Sequence, residues 1–154
     1  MNCRVFAAKG RIRSSLLFEQ RVEQRLGNDL ATIAGEKGGI IKPGRPVVIG
    51  AMPAEAREVL VSIARACGAP LRDASQTVRV DLVDMDVDGM RVKIETGAMS
   101  LPRIHVPLIG EHQLENIALA VAAAEVLRDD VQLPVTDDAF VRGLQSVQWR
   151  GRLQ

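Results

Sequence analysis

The sequence predicts an α/β fold, and three observations carry that reading. A short apolar run, Pro46-Val47-Val48-Ile49-Gly50, leads into a segment of helical spacing that stops at Gly68. The hydrophobic period then changes from about 3.6 to 2 over residues 77–96. A long helical pattern returns after Gly110. A strand followed by a helix is the unit from which parallel sheets are built, and the period-2 stretch adds a β-rich insertion to it.

Each element has its own local signal. Asn28 or Asp29 is placed to cap a helix on which Leu30, Ile33, Ala34 and Lys37 share one face. Gly38-Gly39 ends it, and Pro43-Gly44 makes a turn. After the buried strand at 46–50, Pro53 suits the first turn of a helix carrying Val59, Leu60, Ile63 and Ala66. A weak strand signal surrounds Pro70-Leu71. Val78, Val80 and Leu82 alternate with polar residues, and Val83, Met85 and Val87 alternate on the next stretch, with Asp84, Asp86 and Asp88 as the solvent face opposite them. Asp88-Gly89 reads as a two-residue hairpin turn, since both positions tolerate positive φ. Met90, Val92 and Ile94 form the returning strand, and Pro102 to Ile109 is extended. Gly110-Glu111-His112 introduces the longest helix, whose apolar residues occupy more than one face and predict extensive burial. A last helix starts at a Thr136 or Asp137 cap and runs through Phe140, Val141 and Leu144.

Composition bounds the function. The chain has 154 residues, enough for one domain with a sizeable core. Aromatics make up 3% and tyrosine is absent, so the core is aliphatic. Net charge is +1, which gives no field for nucleic acid. Residues 1–25 hold six basic groups against Glu19 and Glu23, a net of +4, so the rest carries −3. That basic leader is set apart from the remainder of the chain. Cys3 and Cys67 make neither a disulfide framework nor a metal spacing, which fits a reduced, cytoplasmic setting. No apolar run approaches the roughly 18 residues of a membrane span.

One motif matches in writing only. Asp84, Asp86, Asp88, Gly89 and Glu95 satisfy the EF-hand loop pattern. A calcium loop lies between two helices, whereas these flanks alternate as strands and Arg91 stands where an aliphatic residue is usual. The expectation is a hairpin with a solvated acidic face.

Three stretches together carry a family resemblance. They are Leu26-Gly27-Asn28-Asp29-Leu30-Ala31-Thr32-Ile33-Ala34-Gly35-Glu36-Lys37-Gly38-Gly39-Ile40-Ile41-Lys42-Pro43-Gly44; Gly110-Glu111-His112-Gln113-Leu114-Glu115-Asn116-Ile117-Ala118; and Trp149-Arg150-Gly151-Arg152-Leu153. In order and spacing they resemble dihydrofolate synthase/folylpolyglutamate synthase, a family related to the Mur ligases, over residues 26–154. The resemblance implies a partial Rossmann-like, P-loop ATPase domain of the Mur ligase type with an inserted β-hairpin region. It assigns 26–148 to the central ATP-binding domain and 149–154 to the start of a linker. It implies an ATP-dependent ligase that adds L-glutamate to dihydropteroate or folate through an acyl phosphate, with magnesium as the second cofactor. Lys37 falls at the family's carbamylated lysine, where an amine that has captured carbon dioxide becomes an anion able to hold magnesium. His112, Gln113 and Asn116 fall at the family's nucleotide-contacting helix start, and Arg152 at the arginine that reaches the ATP phosphates. His105 matches no family position and is expected to be a partly exposed strand or loop residue.

The pattern breaks in two places. Arg21 and Val22 occupy the positions of the family's magnesium-binding Asp-His, and neither side chain ligates a hard cation. No Gly-Lys-Ser loop occurs anywhere in the sequence. A truncated or frameshifted reading frame, a degenerate remnant and a partner that supplies the missing half all fit these breaks. The expectation is a chain without ligase activity of its own, the alternative function being a non-catalytic nucleotide- or partner-binding protein.

Overall fold

The computed structural model describes residues 5–7 and 30–148. The rest of the basic leader with Arg21 and Val22, the cap at Asn28 or Asp29, Arg152 and the 149–154 segment lie outside the described residues. The chain divides into two compact units, Met1–Ala74 and Ser75–Gln154.

The first unit contains β1 (Val5–Ala7), α1 (Leu30–Gly38), β2 (Val47–Ile49), α2 (Ala54–Ala66) and β3 (Leu71–Asp73). Its sheet has the order β1-β2-β3. β2 pairs parallel with β3 and antiparallel with β1, so that Val48 lies between Arg72 and Phe6. The β2–α2–β3 crossover is the parallel unit that the sequence predicts. β1 has no such sequence signal: three residues are too few to display an alternation, and their partner lies far along the chain. Val47, Val48 and Ile49 are all buried, as expected of an apolar run in a central strand.

Val47 and Ile49 pack with Ala34, Ile41, Ala56, Leu60, Ala64 and Ala69 in an aliphatic core. Full burial of one side chain such as Leu60 stabilises by about 1.5–3 kcal/mol. The ends of α2 explain its length. Arg57 N–H bonds the Pro53 carbonyl at 3.0 Å in the first turn. At the other end Gly68 adopts φ +57, its N–H bonds Arg65 O at 3.0 Å, and Ala69 N–H bonds Ala64 O at 2.8 Å. This pair of bonds satisfies carbonyls that a helix end would otherwise leave open. An ion pair from Arg57 to Asp73 ties α2 to β3.

The second unit begins within a single helical turn, α3 (Ala74–Thr77), and continues through β4 (Val78–Asp86), β5 (Gly89–Thr96), β6 (Ser100–Val106), α4 (His112–Asp129) and α5 (Asp137–Gln145). β4, β5 and β6 form an antiparallel meander in sequence order. Cross-strand partners segregate by polarity. Val80, Leu82 and Met85 face Ile94, Val92 and Met90, while Arg79, Asp81 and Asp84 face Glu95, Lys93 and Arg91. On the other side of β5, Met90 and Val92 face Val106 and Ile104. The apolar face is the buried one, with Met90, Val92, Ile94 and Val106 each 0% exposed. Helix α4 packs against β4 and α5 against β6.

The structure corrects two sequence readings. The alternation puts Val83, Met85 and Val87 on the apolar side of the hairpin opposite the aspartates, yet all three are exposed, Val87 the most. The register shifts between Leu82 and Asp84, so Val83 is the extra residue of a bulge. Beyond it Met85 keeps the apolar side opposite Met90 and Asp84 the polar side opposite Arg91, but Met85 and Val87 stay exposed there. The turn itself also differs. Asp86 pairs with Gly89, so Val87 and Asp88 form the loop, and Asp88 N–H bonds Asp86 Oδ1 at 2.9 Å. Of Asp88 and Gly89, only Gly89 has positive φ, at +141.

Helix α4 buries Ile117, Leu119, Val121, Ala122 and Val126 and carries one buried acid, Glu125. In its last turn Arg128 pairs with Asp129 and with Asp137 of α5, both at 3.0 Å. Thr136 caps α5 as the sequence suggests, its Oγ1 accepting the Ala139 N–H at 3.1 Å.

Gly89 admits no side chain. A Cβ there would lie 2.4 Å from Val106 O and 2.8 Å from Pro107 Cα, both backbone atoms. Gly89→Ala should therefore destabilise the protein by about 1–3 kcal/mol or more, through positive-φ strain and the forced shift of β6. Urea denaturation would check this, and an unchanged midpoint would contradict the close approach.

Candidate functional site

The start of α4 brings three of the residues singled out in the sequence together. Gly110 takes φ +104, a conformation that suits glycine. A Cβ on Gly110 would stand 2.6 Å from Cε1 and 2.7 Å from Nδ1 of His112, so the imidazole lies back over the space that the glycine leaves open. Gln113 N–H and Leu114 N–H close the first turn onto the carbonyls of Gly110 and Glu111, both at 2.9 Å. Asn116 Nδ2 donates to Gln113 Oε1 at 2.6 Å, and Gln113 Nε2 stands 3.0 Å from His112 Nε2. With the Gln113 carbonyl engaged by Asn116, its amino group is the donor and His112 Nε2 the acceptor, which places the imidazole proton on Nδ1. Turning both amides over reverses the direction of the chain of bonds. The first turn can thus present either a donor or an acceptor to a ligand at His112.

The electrostatics suit an anion or a polar heterocycle. Glu111, in the N-cap position, makes no side-chain capping bond. Amides at the start of an 18-residue helix carry the positive end of its dipole. His112 is exposed, and Gln113 and Asn116 are half-buried, so the row of side chains runs from solvent inward. Sequence reasoning missed Met85, whose Sδ accepts the Gly110 N–H at 3.3 Å and so underpins this turn. Its only signal was one more apolar position in an alternating strand.

Lys37 lies in the first unit, in the last turn of α1. It is half-buried, as its position on the Leu30–Ile33 side implies. Its carbonyl accepts the Ile40 N–H at 3.3 Å, in a series of tight turns that ends the helix. Next to it, Gly38 brings α1 close to α2, since a Cβ there would fall 2.3 Å from Ile63 Cδ1. Lys42 Nζ donates to Gly39 O at 2.9 Å, a cation at the negative end of α1.

An unmodified lysine ammonium has donors only and ligates no metal. Among the described residues, no group of three or more His, Cys, Asp or Glu converges as a metal site. The described residues thus do not by themselves form a magnesium site. Two of the three aspartates of the EF-hand-like pattern, Asp84 and Asp86, are bound by arginines instead. Arg91 Nη1 reaches Asp84 Oδ1 at 2.6 Å and Asp86 Oδ2 at 2.8 Å, and Arg103 Nη2 reaches Asp84 Oδ2 at 2.7 Å. These residues form a cross-strand ion-pair network on the polar face of the meander. His105 is a half-buried residue of β6, in agreement with its sequence reading. Cys67 is a half-buried free thiol. No described helix is long and apolar enough to cross a membrane.

Comparison with known proteins gives this geometry a class. No model of a known protein family matches the sequence. The dihydrofolate synthase/folylpolyglutamate synthase of Bacillus subtilis is 34% identical over 129 residues, which are 84% of this chain and 30% of that protein. The apo form of L. casei FPGS superposes with a TM-score of 0.80 at 28% identity, covering 88% of this chain and 33% of that one. An FPGS complex with AMPPCP and folate gives a TM-score of 0.77 at 29% identity, covering 85% of this chain and 32% of that one. The fold is therefore the α/β fold of the Mur ligase type, present in part. The chain is a homologue of the dihydrofolate synthase/folylpolyglutamate synthases, and it spans about 30% of the length of the curated relatives it matches.

The acidic network makes a pH-dependent contribution. The Asp86 carboxyl is held below the usual carboxylate range, first by its hydrogen bond from Arg91 and then by the Asp88 amide. A folded-state pKa lowered in this way gives stability that is present above the ordinary Asp value of about 3.9 and lost as pH falls through the folded value. Asp86→Asn should lower the urea midpoint near pH 7, and the gap to the parent should narrow as pH falls below the ordinary Asp range. A gap that persists in acid would contradict the ion-pair account. Added calcium should move neither midpoint.

Proposed function

We propose that this chain carries the nucleotide-contacting part of an ATP-dependent ligase that joins L-glutamate to dihydropteroate or folate. The supporting observation is the His112–Gln113–Asn116 row at the start of α4, in a chain homologous to dihydrofolate synthase/folylpolyglutamate synthases. In this reading residues 26–148 belong to the central ATP-binding domain of a cytoplasmic enzyme, and 149–154 to the approach to a further domain. The reaction transfers the terminal phosphoryl group of ATP to a folate carboxylate, and the glutamate amine then displaces phosphate from the acyl phosphate.

The residues of this chain would act by binding and orientation. His112, Gln113 and Asn116 hold the nucleotide through a hydrogen-bond row whose polarity reverses with the amide orientations. The amides at the start of α4 favour negative charge. Arg152 supplies a planar, permanently charged guanidinium for the ATP phosphates. Lys37, once carbamylated, supplies one anionic ligand for magnesium, which when bound neutralises charge on the transferring phosphoryl group. Arg21 and Val22, at the positions of the family's Asp-His pair, favour a second reading, nucleotide binding without turnover.

AMPPCP should bind the full chain in calorimetry, and Asn116→Ala should weaken it by about 2- to 10-fold, one hydrogen bond's worth. No glutamate addition to dihydropteroate or folate should accompany binding. Turnover would restore the full ligase reading, and no binding at all would remove both readings. For Lys37, isotopically labelled bicarbonate should give a carbamate carbonyl resonance that Lys37→Arg abolishes. A resonance unchanged in that variant would place the carbamate elsewhere.

A further inference from the structure

Met85 sits where the exposed hairpin meets the turn into α4. Its cross-strand partner Met90 is fully buried, yet Met85 is 45% exposed. Its Sδ nevertheless has a structural task, accepting the Gly110 N–H at 3.3 Å. That amide belongs to a residue at φ +104, with the His112 ring packed against it. The thioether is a weak acceptor, and the contact at the turn is held by a residue that is 45% exposed.

We propose that Met85 is a modification site, oxidised by peroxides to the sulfoxide, and that oxidation releases the Gly110 turn and displaces His112. In the reaction a sulfur lone pair attacks one peroxide oxygen, the S–O bond forms and the O–O bond breaks. The thioether loses two electrons, and the peroxide is reduced to water. Sulfur has two lone pairs, one directed at Gly110. An oxygen on that pair would lie inside the 3.3 Å gap, closer to the amide nitrogen than the about 2.7–3.2 Å of a normal hydrogen bond. An oxygen on the outer pair leaves electron-poor sulfur facing the amide. One epimer displaces the amide and the other weakens its bond, and either can be reversed by an epimer-specific sulfoxide reductase.

The remaining described methionines set the comparison. Met90 is inaccessible, and Met52 and Met99 are half-buried. The site stands independently of the nucleotide reading; only an effect on AMPPCP binding rests on that reading.

The test treats the full chain with hydrogen peroxide and follows it by peptide mass spectrometry and by amide resonances. Met85 should oxidise well before Met90, and ahead of Met52 and Met99. The Gly110 and His112 amide signals should move as Met85 oxidises and return after sulfoxide reductase. Met85→Leu, which keeps the volume and lacks the acceptor, should show no peroxide-dependent shift at either residue. Oxidation of Met52 or Met99 at the rate of Met85, an unmoved Gly110 amide in the Met85 sulfoxide, or the same shift in Met85→Leu would each overturn the proposal. AMPPCP titrations of oxidised and reduced chain then separate the two ideas: equal affinity with a displaced turn contradicts the placement of nucleotide at His112, not the oxidation site.

Discussion

The close approach of Gly89 to the end of β6 is the constraint on which the second unit depends. Without a side chain at residue 89, the hairpin closes directly on the backbone of Val106 and Pro107. That contact brings the end of β6 to the tip of the hairpin, four residues before the turn at Gly110 begins to build the α4 start. Met85 reaches the same turn from the other strand of the hairpin. The orientation of His112 is thus inherited from the packing of the sheet. The side chains of the site need only complete it, through Gln113 and Asn116.

The polar face of the meander serves a different purpose. Arg91 on β5 pairs with both Asp84 and Asp86 on the neighbouring β4, and Arg103 on β6 reaches Asp84 past β5. Exposed pairs of this kind contribute little individually. Their geometry still distinguishes one face of the sheet from the other, and so holds the register in which Met90, Val92 and Ile94 point inward. The same cations occupy the oxygens that a calcium loop would need. A sequence pattern for metal binding has become an internal salt network because its flanks are strands and not helices.

Much of the architecture was legible in the sequence where the signal is local. The β2–α2–β3 unit followed from an apolar run, a helical period and Gly68, and the Thr136 cap followed from a single hydroxyl before a polar first turn. The grouping of His112, Gln113 and Asn116 followed from helical spacing combined with a family resemblance. The misreadings have a common physical origin in pairing. The period-2 pattern changes phase at Val83, and only the partner strand shows whether a phase change is a bulge or a new strand. The hairpin loop slid by one residue, to Val87-Asp88, because Asp86 supplies a side-chain acceptor to its own turn. β1 escaped notice because its partner β2 is remote in sequence, and Met85 because an acceptor sulfur has no sequence signature.

The strand order of the two sheets bears on how the chain acquires its structure. In the second unit each strand pairs with the next one along the chain, so its contacts close short loops at low entropic cost. Such local topologies fold quickly. The first unit must instead bring β1 to β2 across the long segment between Ala7 and Val47, and must form a parallel pair through the α2 crossover. A kinetic asymmetry results: the meander and its helices would form early, and the β1–β2–β3 sheet would form late, with the edges of β2 open to other strands during the interval.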